Sequence, residues 1–226
     1  MLKPIPPRQA LLRLIQGNKR FVKNRQAGKL PAQRDADWLM VKPRGPFAII
    51  LSCSDSRAPA EILFDQGLGD LFVIRVAGNI VAPSQVGSVE FAAATTQAQL
   101  VIVMGHTECG AIKATLDAIE GKKSVPTENI QSIVGRIRPH IEGLILRKTR
   151  SPKHEQIWRD AVRANVLAST DHLRHGSRFL EELVREKKLE IVGAEYCIET
   201  GLVDVFDNPF GKPAGKKKAP TKKKNV

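Results

Sequence analysis

Three short, nearly uninterrupted apolar runs, 47–52, 71–76 and 100–104, constrain this chain more than any other feature. Continuous apolar runs of this length are expected of strands buried on both faces. The stretches between them are helix-compatible. Residues 59–64 are a short helix candidate, opened by Pro59, which suits a first helical turn. Residues 84–97 are rich in Ala and read as a second helix. Strand–helix–strand alternation implies a parallel sheet with right-handed crossovers. A fourth core strand is expected at 189–195, and a short edge strand at 202–206 after the Thr200-Gly201 turn.

Elsewhere the pattern is helical. Leu11, Leu12, Leu14, Ile15, Phe21 and Val22 recur at helical spacing among Lys and Arg, which predicts an amphipathic helix over 11–25. Glycines and prolines break 28–46, with room for a short helix around 35–41. Helices are further expected at 109–120, 128–147, 158–173 and 177–186. Pro139 predicts a kink or break in the second of these, and Gly176 separates the last two.

Chemistry concentrates in two runs. Cys53 lies in Cys53-Ser54-Asp55-Ser56-Arg57, and His106 and Cys109 lie in His106-Thr107-Glu108-Cys109-Gly110. Two thiolates and an imidazole suit zinc. Structural zinc sites close with a fourth protein ligand, whereas catalytic ones keep that position for water or substrate. No CxxC partner accompanies Cys53. Cys53 is expected just past the first strand and His106 just past the third. In an open parallel sheet, sites form beyond the carboxyl ends of strands where the strand order reverses. Cys109 follows His106 by three residues at an expected helix start, a spacing that places two helical side chains on one face. A helix N-terminus also favours a thiolate.

With two anionic ligands a zinc ion is a poorer Lewis acid, so its water is expected to ionise above the value of ~7 found with three histidines. Asp55 is close enough in sequence to take the fourth position or to accept a proton there. Arg57 can pair with it through two hydrogen bonds and hold it off the metal. A structural zinc site or two buried cysteines would use the same ligands, but the CxDxR run at a strand end favours catalysis. Cys197, following Tyr196 in a strand-like segment, reads as a small buried apolar residue.

Composition sets the frame. At 226 residues the chain can bury one sizeable core, expected over 1–211, with a helical arm at about 8–45. Seven lysines and no acid fall in 212–226, carrying more than half of the formal net charge of +13. That segment is expected to be a disordered, solvating tail with at most weak contact to nucleic acid or anionic surfaces. No apolar run approaches the ~20 residues that span a bilayer. The first residues lack the apolar core of a signal peptide, and three cysteines fit a reducing compartment, so a cytoplasmic location is expected.

Taken in order, these motifs resemble the β-class carbonic anhydrases over roughly 8–206. The resemblance rests on the CxDxR and HTECG runs, on Phe64-Asp65-Gln66-Gly67-Leu68-Gly69-Asp70-Leu71-Phe72, on Arg75-Val76-Ala77-Gly78-Asn79, and on Gly17-Asn18-Lys19-Arg20-Phe21. It implies an α/β fold with a four-stranded parallel sheet in the order 2-1-3-4. A short extra edge strand, helices on both faces and N-terminal helices that pack on a partner subunit complete it. It implies one Zn²⁺ per subunit on Cys53, His106 and Cys109, with Asp55 and Arg57 as the catalytic dyad. Zinc-bound hydroxide would attack carbon dioxide and give bicarbonate, at a rate that rises with pH. Phe72, Ala77, Phe91 and Gly110 match pocket positions, some supplied by a neighbouring subunit in a homodimer or larger oligomer.

Two departures stand out. Arg44 occupies the position, nine residues before Cys53, where plant-like members carry a substrate-binding glutamine, so it is the pocket candidate for that contact, which is otherwise lost. Ile50 stands where members with an inhibitory bicarbonate site carry a tryptophan, so no such site is expected, although Arg75 matches its arginine and Trp38 is elsewhere. Two other functions compete. Hydrolysis of carbon disulfide or carbonyl sulfide would use the same scaffold. A non-catalytic zinc module could bind nucleic acid through the tail, but aromatic content of 5% argues against a base-stacking surface. His140, His154, His172 and His175 are expected on surfaces or helix faces rather than in a proton relay.

Overall fold

A computed structural model describes residues 4–29, 45–146 and 154–210. Arg44, Trp38, the helix expected around 35–41 and the lysine-rich segment lie outside these residues. The strands are β1 (Ala48–Ser52), β2 (Leu71–Arg75), β3 (Leu100–His106), β4 (Glu190–Tyr196) and β5 (Val203–Asp207). They form one sheet in the order β2-β1-β3-β4-β5, parallel except for β5, which runs antiparallel to β4. The chain leaves β1 for β2 on one side and returns to β3 on the other. The strand order therefore reverses at β1, and a crevice opens beyond the carboxyl ends of β1 and β3.

Helices cover both faces. They are α1 (Pro7–Gln26), α2 (Ala60–Leu63), α3 (Pro83–Thr95), α4 (Gly110–Ile119), α5 (Glu128–Leu146), α6 (His154–His175) and α7 (Arg178–Arg185). β1 and β3 are buried along their whole length, which is why their sequences run apolar without alternation up to the ends that face the crevice, Ser52 and His106. Their side chains still alternate between faces. Ile50, Ile102 and Met104 pack with α1 and α2 through Leu14, Leu63 and Phe64. Ile49, Val101 and Val103 pack with α3, α6 and α7 through Val89, Val166 and Leu180. Each such side chain contributes about 1.5–3 kcal/mol by leaving water.

α1 is fastened to its own chain. A Cβ at Gly17 would lie 1.7 Å from the Phe64 carbonyl oxygen, so only glycine permits this approach. Next to it, buried Asn18 donates to the carbonyls of Leu63 (3.1 Å) and Gly201 (2.9 Å) and accepts from the Val203 N–H (2.9 Å). The N-terminal helix thus lays its apolar face on this chain's own sheet.

One expectation narrows and one needs correction. α5 runs through Pro139 without a break. Cys197 lies beyond the end of β4 rather than within a strand and is half-buried, because its N–H and C=O close the turn to Leu202 and Gly201. Among the described residues, no helix is long and apolar enough to cross a membrane.

Candidate metal centre

Cys53 directly follows β1. Arg75, paired with Ser52 on the last rung of β2, donates to the carbonyls of Cys53 (3.1 Å) and Asp55 (2.6 Å) and so shapes the loop from below. The Gly78 N–H points at Cys53 Sγ from 3.3 Å. Gly78 holds φ +68°, and an added Cβ would crowd Ala111 and Ile137 at 3.0 Å, so glycine serves both the turn and the contact.

His106 is not beyond β3, as spacing suggested, but is its last residue, buried and paired with Tyr196. The β3–β4 ladder continues two rungs past Met104 and fixes its backbone. Cys109 is the residue that caps α4 rather than part of the helix. The two ligands therefore meet through a tight strand-to-helix turn, not on one helical face. Glu108 sits in that turn at φ +59°, a region few non-glycine residues adopt. Thr107 anchors it, its Oγ1 accepting from the Ile198 N–H at 3.0 Å.

The ligand atoms of Cys53, His106 and Cys109 all lie within 4.8 Å of one another, and all three residues are buried. Zinc bonds of roughly 2.0–2.3 Å in a tetrahedron fit this spacing. His106 Nδ1 is 2.8 Å from the Thr107 carbonyl, which assigns it the proton and leaves the Nε2 lone pair free. Nε2 is buried with no hydrogen-bond partner among the described residues. A buried, unpaired acceptor beside two thiols is what a resident cation would satisfy.

The electrostatics agree. Hydrogen bonding from Cys109 lowers the Cys53 thiol well below its ordinary range, against burial, with His106 and the Gly78 N–H adding to the effect. Cys109 is pushed the other way by its hydrogen bond to Cys53 and by burial, although N–H groups at the start of α4 oppose this. The pair shares one proton that a metal must displace. Burial is the largest influence and opposes a charged His106, but Cys53, the Thr107 carbonyl and Asp55 together outweigh it and raise the imidazole.

Asp55 and Arg57 form the expected fork. Nε donates to Oδ1 and Nη2 to Oδ2, both at 3.0 Å. Hydrogen bonds from Arg57 hold the Asp55 carboxyl at about 2, and Asp55 in turn raises the guanidinium. Asp55 Oδ2 lies 3.9 Å from His106 Nε2, beside the ligand cluster without bonding to it.

The pocket candidates divide. Ala77 and Gly110 adjoin Gly78 and Cys109 and are brought to the cluster by the chain itself. Phe72 is not: it pairs with Ile49, three rungs from the Ser52–Arg75 rung, about 10 Å along the strand. Phe91, on α3, is 60% exposed and meets the Phe72 ring at a centroid distance of 6.3 Å. Within one chain these aromatics stand apart from the ligands. His140, His172 and His175 are exposed on α5 and α6, as expected. Spacing did not reveal the Gly78 contact, the Arg75 contacts, or the ion pair between Arg57 Nη1 and Glu108 Oε2 at 2.9 Å. The Arg75-Val76-Ala77-Gly78-Asn79 run singled out Arg75 and Gly78 without naming their partners.

The carbonic anhydrase family model matches residues 48–203. A carbonic anhydrase of Mycolicibacterium smegmatis is 35% identical over 193 residues, covering 85% of this chain and 89% of that one. Carbonic anhydrase 2 of Mycobacterium tuberculosis is 34% identical, with 86% and 90% covered. The solved structure of the β-carbonic anhydrase CcaA superposes with a TM-score of 0.65 at 25% identity, over 87% of this chain and 95% of that one. Sequence, fold and ligand cluster converge, and the chain belongs to the β-class carbonic anhydrase family.

Proposed function

We propose that this chain catalyses the reversible hydration of carbon dioxide to bicarbonate and a proton, with Asp55 and Arg57 as its working dyad. The observation that carries this is the placement of the Arg57-held Asp55 carboxylate 3.9 Å from the unpartnered Nε2 of His106. Cys53, His106 and Cys109 would hold zinc, which supplies Lewis acidity and activates a water when bound. The chain's own groups do the rest. Asp55, held at about 2, stays ionised at neutral pH and is too weak a base to keep a proton. It acts as an acceptor at Oδ2 that orients a reacting water, and the proton passes on to solvent or buffer. Arg57 fixes its direction.

Phe72 and Phe91 would close the apolar pocket of a neighbouring copy, which fits the exposure of Phe91 and its distance along the sheet from this chain's own ligands. The active unit would then be at least a dimer. Residues 1–211 would form the catalytic body, and removal of 212–226 should leave hydration intact. The decisive test is stopped-flow hydration of carbon dioxide with zinc content measured on the same sample. Activity proportional to zinc supports the assignment, and zinc-replete protein without activity ends it.

A further inference from the structure

The Asp55–Arg57 fork has a third member that its five-residue motif does not contain. Arg57 is 46% exposed and carries a long side chain, so a two-residue fork alone leaves its outer edge loose. Glu108 occupies that edge. Its Oε2 accepts from Arg57 Nη1 at 2.9 Å, and its carbonyl lies 3.5 Å from Nη2. The guanidinium is therefore held on two sides, by Asp55 from its own loop and by Glu108 from 51 residues away. Glu108 belongs to the turn between His106 and Cys109, whereas Asp55 belongs to the loop that starts at Cys53. One ion pair thus ties together the two segments that carry the ligand cluster. The left-handed backbone of Glu108 is part of the same turn. Asp55 Oδ2 meanwhile stands 3.9 Å from His106 Nε2, close enough that its carboxylate could compete for a metal that the cluster would hold.

We propose that Glu108 is a positioning residue. By clamping Arg57 it keeps the Asp55 carboxylate in the fork and away from the Cys53–His106–Cys109 cluster. The inference rests on the zinc enzyme assignment above. It reaches beyond the dyad, because it makes the turn residue between two ligands a determinant of how often the fourth position is free.

The test uses the full chain, its Glu108→Ala and Glu108→Gln variants, and each combined with Asp55→Ala. In metal-free protein, phenylglyoxal should modify Arg57 about two- to fivefold faster in Glu108→Ala, the range expected for loss of an exposed ion pair. Glu108→Gln, which keeps an acceptor, should fall between. In cobalt-loaded protein, azide affinity read from the visible spectrum should weaken by a similar factor in Glu108→Ala. That weakening should vanish in the Asp55→Ala background, because Glu108 acts through Asp55. An unchanged Arg57 modification rate, or an azide effect that persists without Asp55, overturns the proposal. Failure of the zinc enzyme assignment is distinguishable: wild-type protein would then bind zinc and not hydrate carbon dioxide, whatever Glu108 does.

Discussion

Among the arginine–carboxylate pairs around this sheet, two are built in different ways. At the end of β1, Arg57 meets Asp55 two residues away, with the guanidinium largely in solvent. At the β4–β5 edge, Arg163 of α6 donates at 2.7 Å to both Glu195 and Asp204, 32 and 41 residues distant, and lies over the Phe206 ring. Glu195 is 2% exposed, and its Oε1 has no hydrogen-bond partner among the described residues. The same chemistry serves two ends. An exposed pair contributes about 0.2–1 kcal/mol and so mainly sets direction. A buried carboxylate must be matched, so the second node governs whether the edge of the sheet holds at all.

The largest expected effect lies in the cluster the first node serves. Cys53→Ala or Cys109→Ala should lose zinc and hydration activity together, read by metal analysis and stopped-flow on one sample. Full zinc retention would remove that residue from the ligand set. Next comes the fork. Asp55→Ala should keep zinc and the folded state but lower kcat by about 10²- to 10³-fold, the usual weight of one preorganised hydrogen-bonding group at a reacting site. An unchanged kcat would place the fork outside the mechanism. Conversely, Glu195→Ala should lower stability by about 1.5–3 kcal/mol in urea unfolding, the weight of a charged hydrogen bond, because Arg163 loses its buried partner and keeps Asp204. Hydration per bound zinc should stay unchanged. If activity fell while stability held, the two nodes would not be separable.

The smallest effect sharpens the contrast at the other end of β4. Burial raises the Glu190 carboxyl above its ordinary value, with Arg174 opposing. A raised folded-state value means the neutral form is favoured. The contribution to stability is present below about pH 4, the unfolded value, and is lost as pH rises through the folded one. Glu190→Gln should therefore match wild type in acid and unfold at a slightly higher urea concentration near neutral pH. An equal midpoint at both pH values would show that burial of Glu190 carries no penalty.

The apolar runs determined the sheet, because strands buried on both faces tolerate almost nothing else, and the order of strands and helices then left few topologies. Chain proximity determined the fork as well: Asp55 and Arg57 are two residues apart, and any loop after β1 keeps them within reach. The ligand types were likewise legible, since few roles suit two thiols and an imidazole in such runs. What proximity cannot encode was decided by packing. His106 became a strand residue because β4 extends the ladder beneath it. Gly78 reached Cys53, and Glu108 reached Arg57, only once three loops had met above the sheet. Glu195 found Arg163 only when α6 crossed β4. These contacts join residues 25 to 51 positions apart, and no local propensity specifies them. Close packing brought these groups together, and low solvent access then decided which of them had to pair.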